Sequence, residues 1–374
     1  MDAGIAQVID FRAMPPCSDL LDSIFGDKMS SQINVINRIA GVNYALTNDG
    51  IEMPIVNILH PSFALDPSTS EVECLRAQYL HESESWLRKP RLLRRMLFGV
   101  ALRKSRILQG LKDGDGSYLS GMNTYLMKLG PEHMDRSFAL SFDAKVAKGI
   151  PSTNVRLRLR NMAHLIADEL LPLLMNNPVR PVLLLNIGGG TAMDSLNALI
   201  LIMRKSPGVL TGRKIRIQVF DGDARGAGFG ARALDALMAP EAPLFGIDAS
   251  LDYFPYNWSQ PEMLAPFLEK TQETISCCSS EGALLEYGTD KEIYSHLDLM
   301  KRYTQSSFSF IASASLDLVH KDMRDEAPIQ LNNRYYTRES IAELVVSSGW
   351  NIARILEAPT TQCFCIRKPK ESLR

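Results

Sequence analysis

Two carboxylates in the stretch SSEGALLEYGTD, Glu281 and Glu286, stand just past an apolar run of strand length. A carboxylate at the carboxyl end of a strand can act as a general base or bind a substrate cation, and it can equally cap the helix that follows. The residues flanking Glu281 are small, CCSS before it and Gly282 after it, which leaves room for a ligand and takes the carboxylate out of water. Such surroundings make a carboxylate a better base. Upstream, VLLLNIGGGTAMDSL (residues 182–196) carries four apolar residues into Asn186, turns through Gly188, Gly189 and Gly190, and resumes as a helix after Thr191 and Ala192. Glycines at such a place let a strand turn tightly into a helix, or they clear room for a nucleotide-like ligand at the helix N-terminus.

Three further strand ends carry chemistry. The run IRIQVFDGD offers Asp221 and Asp223. A carboxylate there can accept two hydrogen bonds from a ribose diol or cap the next helix, and one acid can take each role. Asp221 directly ends the strand and is the ribose candidate. In PYNW, Asn257 can bond an adenine edge and Trp258 or Tyr256 can cover its face, unless the segment is an edge turn with a core tryptophan. Past FSFIASAS stand Asp317, His320 and Lys321. A lone histidine is more often a surface or hydrogen-bonded group than a catalyst. The six histidines are scattered singly, with no metal-ligand spacing and no Ser/His/Asp order, so no metal site is expected.

These residues need strands and helices to position them. Up to about Ala147 the pattern is mostly helical. SEVECLRAQYLHES and residues 90–108 show apolar residues at helix spacing, with Leu92, Leu93, Met96, Leu97, Val100 and Ala101 forming one stripe. KDGDGS (residues 112–117) reads as a loop, and MNTYLMKLGP as a short helix stopped by Gly130 and Pro131. NVRLRLRNMAHLIADELLPLL is an amphipathic helix with Asn154 as its expected N-cap. Beyond it, strand-length runs at 181–187, 215–221, 249–256, 274–280 and 308–315 alternate with helical stretches. A late helix, YTRESIAELVVSSGW, precedes NIARILE and TQCFCIRKP, a candidate closing hairpin. Near-continuous apolar strands alternating with helices imply a parallel sheet covered on both faces. The glycines at 226–230 follow no strand and read as close helix packing.

Composition is that of a globular chain: 374 residues, 45% hydrophobic, 22% charged and a formal net charge of −1. No global field selects a polyanion, so nucleic acid is not an expected partner. Residues 88–106 nevertheless hold eight basic residues and no acidic one, a segment able to meet an anionic ligand or headgroup or to stand as a solvated helix face. The start, MDAGIAQVIDF, has no basic region leading into an apolar core. No apolar run reaches the ~20 residues of a membrane span, so a cytoplasmic location is the expectation. The six cysteines lack zinc-finger spacing.

Taken together, the strand ends resemble a class I S-adenosylmethionine-dependent methyltransferase. VLLLNIGGGTA resembles its first motif, VFDGD its acidic second motif, and YNW stands where the adenine-binding residues lie. TYLMKLGP, RLRLRNMAHLIADEL and SSEGALLEYGTD resemble a bacterial methyltransferase-like subgroup of unnamed substrate. The resemblance covers residues 151–369. It implies a Rossmann-like α/β fold with a parallel sheet of about seven strands closed by an antiparallel hairpin. A helical N-terminal region (1–147) would form a substrate lid ahead of the cofactor-binding domain (148–374). It implies S-adenosyl-L-methionine as cofactor, its methionine part near Asn186, Gly188, Gly189 and Gly190, its ribose at Asp221 and Asp223, and its adenine at Asn257 and Trp258. Glu281 and Glu286 then face a small-molecule methyl acceptor. Two positions depart from the family: Asn186 replaces the acid before the first glycine, and Ala192 replaces the third glycine. Those departures keep a non-catalytic, methyltransferase-like binding protein in view. A nicotinamide-dependent oxidoreductase would need a glycine where Met193 stands and an acid nearer than Asp221. A homodimer is one arrangement left open.

Overall fold

In the computed structural model, which describes residues 38–113, 120–318 and 333–369, the described residues fall in one compact unit. Two short strands, β1 (Tyr44–Leu46) and β2 (Glu52–Pro54), pair antiparallel. The helices α1 (Thr69–Leu87), α2 (Arg91–Arg103), α3 (Arg106–Asp113), α4 (Gly121–Leu129), α5 (Asp143–Lys148) and α6 (Ile150–Asn176) follow. From there strands and helices alternate: β3 (Val182–Ile187), α7 (Met193–Lys205), β4 (Lys214–Asp221), α8 (Ala224–Met238), β5 (Asp248–Pro255) and α9 (Ala265–Glu269). The chain continues through β6 (Ile275–Ser280), α10 (Leu284–Tyr287), α11 (Asp290–Tyr303), β7 (Ser309–Ser315), α12 (Arg338–Ser347), β8 (Asn351–Glu357) and β9 (Thr361–Arg367).

The main sheet has the order β5-β4-β3-β6-β7-β9-β8. Its first five strands run parallel, while β9 pairs antiparallel with both β7 and β8. This is the Rossmann-like α/β sheet with a closing antiparallel hairpin expected from the sequence. Side chains alternate across a strand, so Val182 and Leu184 enter a core beneath α6, α7 and α8, whereas Leu183, Leu185 and Ile187 enter a second core beneath α11 and α12. Burying each such side chain contributes about 1.5–3 kcal/mol, which explains why Val182 to Leu185 are apolar without a break. The neighbours Cys277 and Cys278 likewise face opposite cores, and burial pushes both thiols well up.

Two expectations are corrected. Helix α6 begins at Ile150 with Pro151 in its first turn, a position where the missing N–H of proline costs nothing. Asn154 therefore lies inside the helix, where its Nδ2 donates to Thr361 Oγ1 at 2.8 Å and its Oδ1 accepts from Thr360 N at 3.0 Å. The apolar stripe from Leu92 to Ala101 lies wholly on α2. The chain breaks at Lys104 between α2 and α3, and Leu92 and Met96 are 81% and 60% exposed. The break is fixed from a distance: Asp143 is fully buried and accepts from Ser105 Oγ at 2.5 Å, Arg106 N at 3.1 Å and Ile107 N at 3.0 Å. Lys112 and Asp113, read as loop, close α3, while residues 114–117 of that reading lie outside the described residues, as do His320 and Lys321.

Candidate functional site

Strands β4 and β6 flank β3, so the chain leaves β3 toward one side of the sheet and later returns to the other. Ligands of open α/β sheets sit outside the carboxyl ends of the strands at such a switch point. There lies a cavity of about 270 Å³, lined at its centre by Gly188, Gly189 and Gly190. On the β4 side it meets Asp221, Tyr256, Asn257 and Trp258, and on the β6 side Glu281, Gly282 and Tyr287. Helix α4 closes it from above with Gly121, Thr124 and Lys128.

The glycine turn answers to the protein first. Gly188 and Gly190 have φ of +62° and +52°, where a side chain is disfavoured. A Cβ on Gly190 would stand 2.9 Å from Gly121 Cα, and one on Gly226 would stand 2.8 Å from the Gly190 carbonyl carbon. Helices α4 and α8 thus press their backbones onto the turn through glycines, which accounts for the glycines of α8 as packing. A Cβ on Gly188 would strike that of Ala283 at 2.3 Å, with the Trp258 ring 3.6 Å away. Ala192 has φ +52°, a conformation that costs a residue with a Cβ about 1–2 kcal/mol.

Asp221 ties β4 to this turn. Its Oδ2 accepts from Gly190 N at 2.9 Å and its Oδ1 from Asp223 N at 2.9 Å. Burial raises its pKa, against the hydrogen bonds from Asp223 and Gly190. Each oxygen keeps a lone pair for a further donor. Asp223 instead caps α8, accepting from Arg225 N at 3.0 Å, and is not among the residues lining the cavity. Asn257 faces the cavity and accepts from Ser259 N at 3.0 Å through Oδ1. Tyr256 is fixed through its hydroxyl to His296 Nε2 at 2.5 Å.

Asn186 is placed differently from the expectation. It is wholly buried beneath the turn, does not line the cavity, and gives its Nδ2 to Asp194 Oδ1 at 2.8 Å and Ser195 Oγ at 3.3 Å. Burial and then the Glu281 charge raise the Asp194 pKa.

At the β6 end the two candidate carboxylates are engaged with cations. Glu281 Oε2 receives Lys128 Nζ at 2.8 Å, and its Oε1 receives Arg158 Nε at 3.4 Å. Arg158 Nη1 reaches Glu286 Oε1 at 3.3 Å, which Ser315 Oγ also approaches at 3.1 Å. All four charged side chains are at most 8% exposed. Burial opposes the charge of Arg158, but Glu286 and Glu281 outweigh it and hold its pKa above the ordinary value. Burial raises that of Glu286 in spite of Arg158. Glu286 does not line the cavity. Sequence reasoning missed Lys128 and Arg158, and the available signal was a cation set among apolar neighbours, Met127 with Leu129 and Leu157 with Leu159. Nothing local marked Gly121, Thr124 or His296. Among the described residues no cluster suited to a metal ion occurs.

No family model matches the sequence, and no curated protein matches it. Solved structures do. A possible exported protein from Bordetella parapertussis has a TM-score of 0.51 at 13% identity, covering 82% of this chain and 100% of that one. Magnesium protoporphyrin IX methyltransferase from Synechocystis PCC 6803, with bound S-adenosylhomocysteine, has a TM-score of 0.39 at 11% identity over 59% of this chain and 88% of that one. An O-methyltransferase family protein from Burkholderia thailandensis has a TM-score of 0.37 at 11% identity over 62% and 64%. The likeness is one of fold alone, an α/β architecture shared with the Bordetella protein.

Proposed function

We propose that the chain binds S-adenosylmethionine in the switch-point cavity and transfers its methyl group to a small-molecule acceptor. The observation that carries this reading is the junction of β3 and β4, where Gly190 N meets Asp221 Oδ2 at 2.9 Å on the cavity wall. An acid bound to the glycine turn can take a ribose diol beside a nucleoside edge at Asn257 and an aromatic face at Trp258. Bound there, the cofactor supplies an electrophilic methyl group on a sulfonium. The chain's task is then to hold an acceptor in line, and much of the acceleration can come from that positioning. In this reading α4, from the N-terminal region 1–147, closes the cavity over the bound ligand through Gly121, Thr124 and Lys128, and residues 148–374 hold the cofactor's nucleoside. Glu281, with two cations against it, serves to place charge; Glu286 backs it through Arg158. Calorimetry with S-adenosylmethionine, S-adenosylhomocysteine and NAD tests the reading, which predicts binding of the first two and none of NAD. A binding protein without catalysis is the second reading, favoured by the engagement of both carboxylates in ion pairs. A screen of acceptors for turnover separates it from the first.

A further inference from the structure

The two ends of the cavity differ in chemistry. One holds a carboxylate and aromatic rings, Asp221 with Trp258, and the other holds a cation and an anion side by side, Lys128 and Glu281. The glycine turn lies between, because β3 stands between β4 and β6. Two interstrand steps separate the ends, about 10 Å, a span that suits a nucleoside carrying a short tail. Each side chain of the Lys128–Glu281 pair is 6% exposed, and both face the cavity. A buried ion pair is weak evidence of stabilisation, since apolar packing often serves as well. A pair bordering a cavity can exchange its mutual contact for a ligand's charges.

We propose that Lys128 and Glu281 form a receptor for the zwitterionic head of an α-amino acid, Lys128 taking the carboxylate and Glu281 the ammonium. Resting on the cofactor reading above, this assigns them the amino-acid tail of S-adenosylmethionine. The assignment departs from the first-motif residue, because Asn186 gives its amide to Asp194 and Ser195 and does not line the cavity. Asp221 and Glu281 are the carboxylates that line the cavity among the described residues, and Lys128 is the ammonium. Arg158 makes the exchange tenable. Held by Glu286 at 3.3 Å, it stays 3.4 Å from Glu281 Oε1 and keeps a counter-charge there when Lys128 turns to the ligand. Gly282 clears its place, since a Cβ there would come within 2.4 Å of the guanidinium.

The test is calorimetric, with S-adenosylhomocysteine, 5′-methylthioadenosine (the same nucleoside without the amino-acid head) and free methionine, on wild type, Lys128→Met and Glu281→Gln. On wild type, S-adenosylhomocysteine should bind at least about tenfold more tightly than methylthioadenosine, as expected for charge-assisted hydrogen bonds. Either substitution should remove most of that preference and leave methylthioadenosine affinity within about threefold. Decarboxylated S-adenosylmethionine on wild type should lose as much as Lys128→Met loses on the full cofactor, and the two losses should not add. Equal affinities for the two nucleosides on wild type overturn the receptor while leaving the cofactor reading intact, and need no variant to fold. Binding of neither nucleoside overturns the cofactor reading itself. Methionine binding that Lys128→Met abolishes, without nucleoside binding, keeps the receptor and moves it to an amino-acid acceptor.

Discussion

Replacing Gly190 by valine asks which demand the glycine turn answers. Its Cβ would meet Gly121 Cα at 2.9 Å at a φ of +52°. Overpacking costs about 1–3 kcal/mol and the left-handed conformation about 1–2 kcal/mol more. The unliganded protein should therefore show a lower urea midpoint, and Gly121→Ala, which makes the same contact from the other side, should lower it too. An unchanged midpoint with lost affinity would hand the space to the ligand instead. Asp221 and Asp223 separate by position. Asp221→Ala should weaken cofactor binding by about 1.5–3 kcal/mol. Asp223→Ala should cost about 1 kcal/mol of stability as a lost helix cap and leave the calorimetric affinity nearly unchanged. The opposite order would place the ribose on Asp223.

At the scale of elements, the joint between α2 and α3 depends on one distant carboxylate. Asp143→Ala leaves the N–H groups of Arg106 and Ile107 without their acceptor. Breaking hydrogen bonds to a buried charge costs about 1–3 kcal/mol, so the denaturation midpoint should fall. Helix α2 predicts the reverse. With Leu92 81% exposed, Leu92→Gln should stay within about 0.5 kcal/mol of wild type. Leu165→Ala in α6, 1% exposed, should cost about 2–5 kcal/mol. A large loss at Leu92 would mean that a partner covers that face in solution.

For the whole molecule, the acid response is set partly by histidines whose charged form burial disfavours. Burial lowers the pKa of His296, His133 and His164. Below the ordinary value of about 6.5 the unfolded chain binds protons that the folded chain refuses. Their contribution is therefore complete above that pH and is lost as pH falls through the folded values. Asp194, Asp221 and Glu286, whose pKa values burial raises, contribute oppositely, most at low pH and less as pH rises through their folded values. Comparing a variant with wild type cancels those carboxylates. His296→Gln should be less stable than wild type at pH 7.5 and should lose less stability between pH 7 and 5, measured by urea titration at each pH. Parallel curves would remove His296 from the acid response.

The sequence by itself determined the strands and their ends. The runs read at 181–187, 215–221, 249–256, 274–280 and 308–315 end where β3 to β7 end, or within one residue. A strand buried on both faces is built mainly of apolar and small residues, and β3 and β4 turn where Gly188 and Gly222 follow them. That also made the cavity rim legible at Gly188, Asp221, Asn257 and Glu281. What surrounds the rim was decided only by tertiary structure. Lys128 reaches Glu281 across 153 positions of chain, Arg158 across 123, and Asp143 reaches Arg106 across 37. Periodicity marked the apolar residues of α2 but could not tell whether anything would cover them, because an amphipathic pattern is a property of one helix and burial is a property of two. The charge on Glu281 was visible in one letter. Whether it stands as a free base or as half of an ion pair depends on two helices that pack against it from elsewhere in the chain.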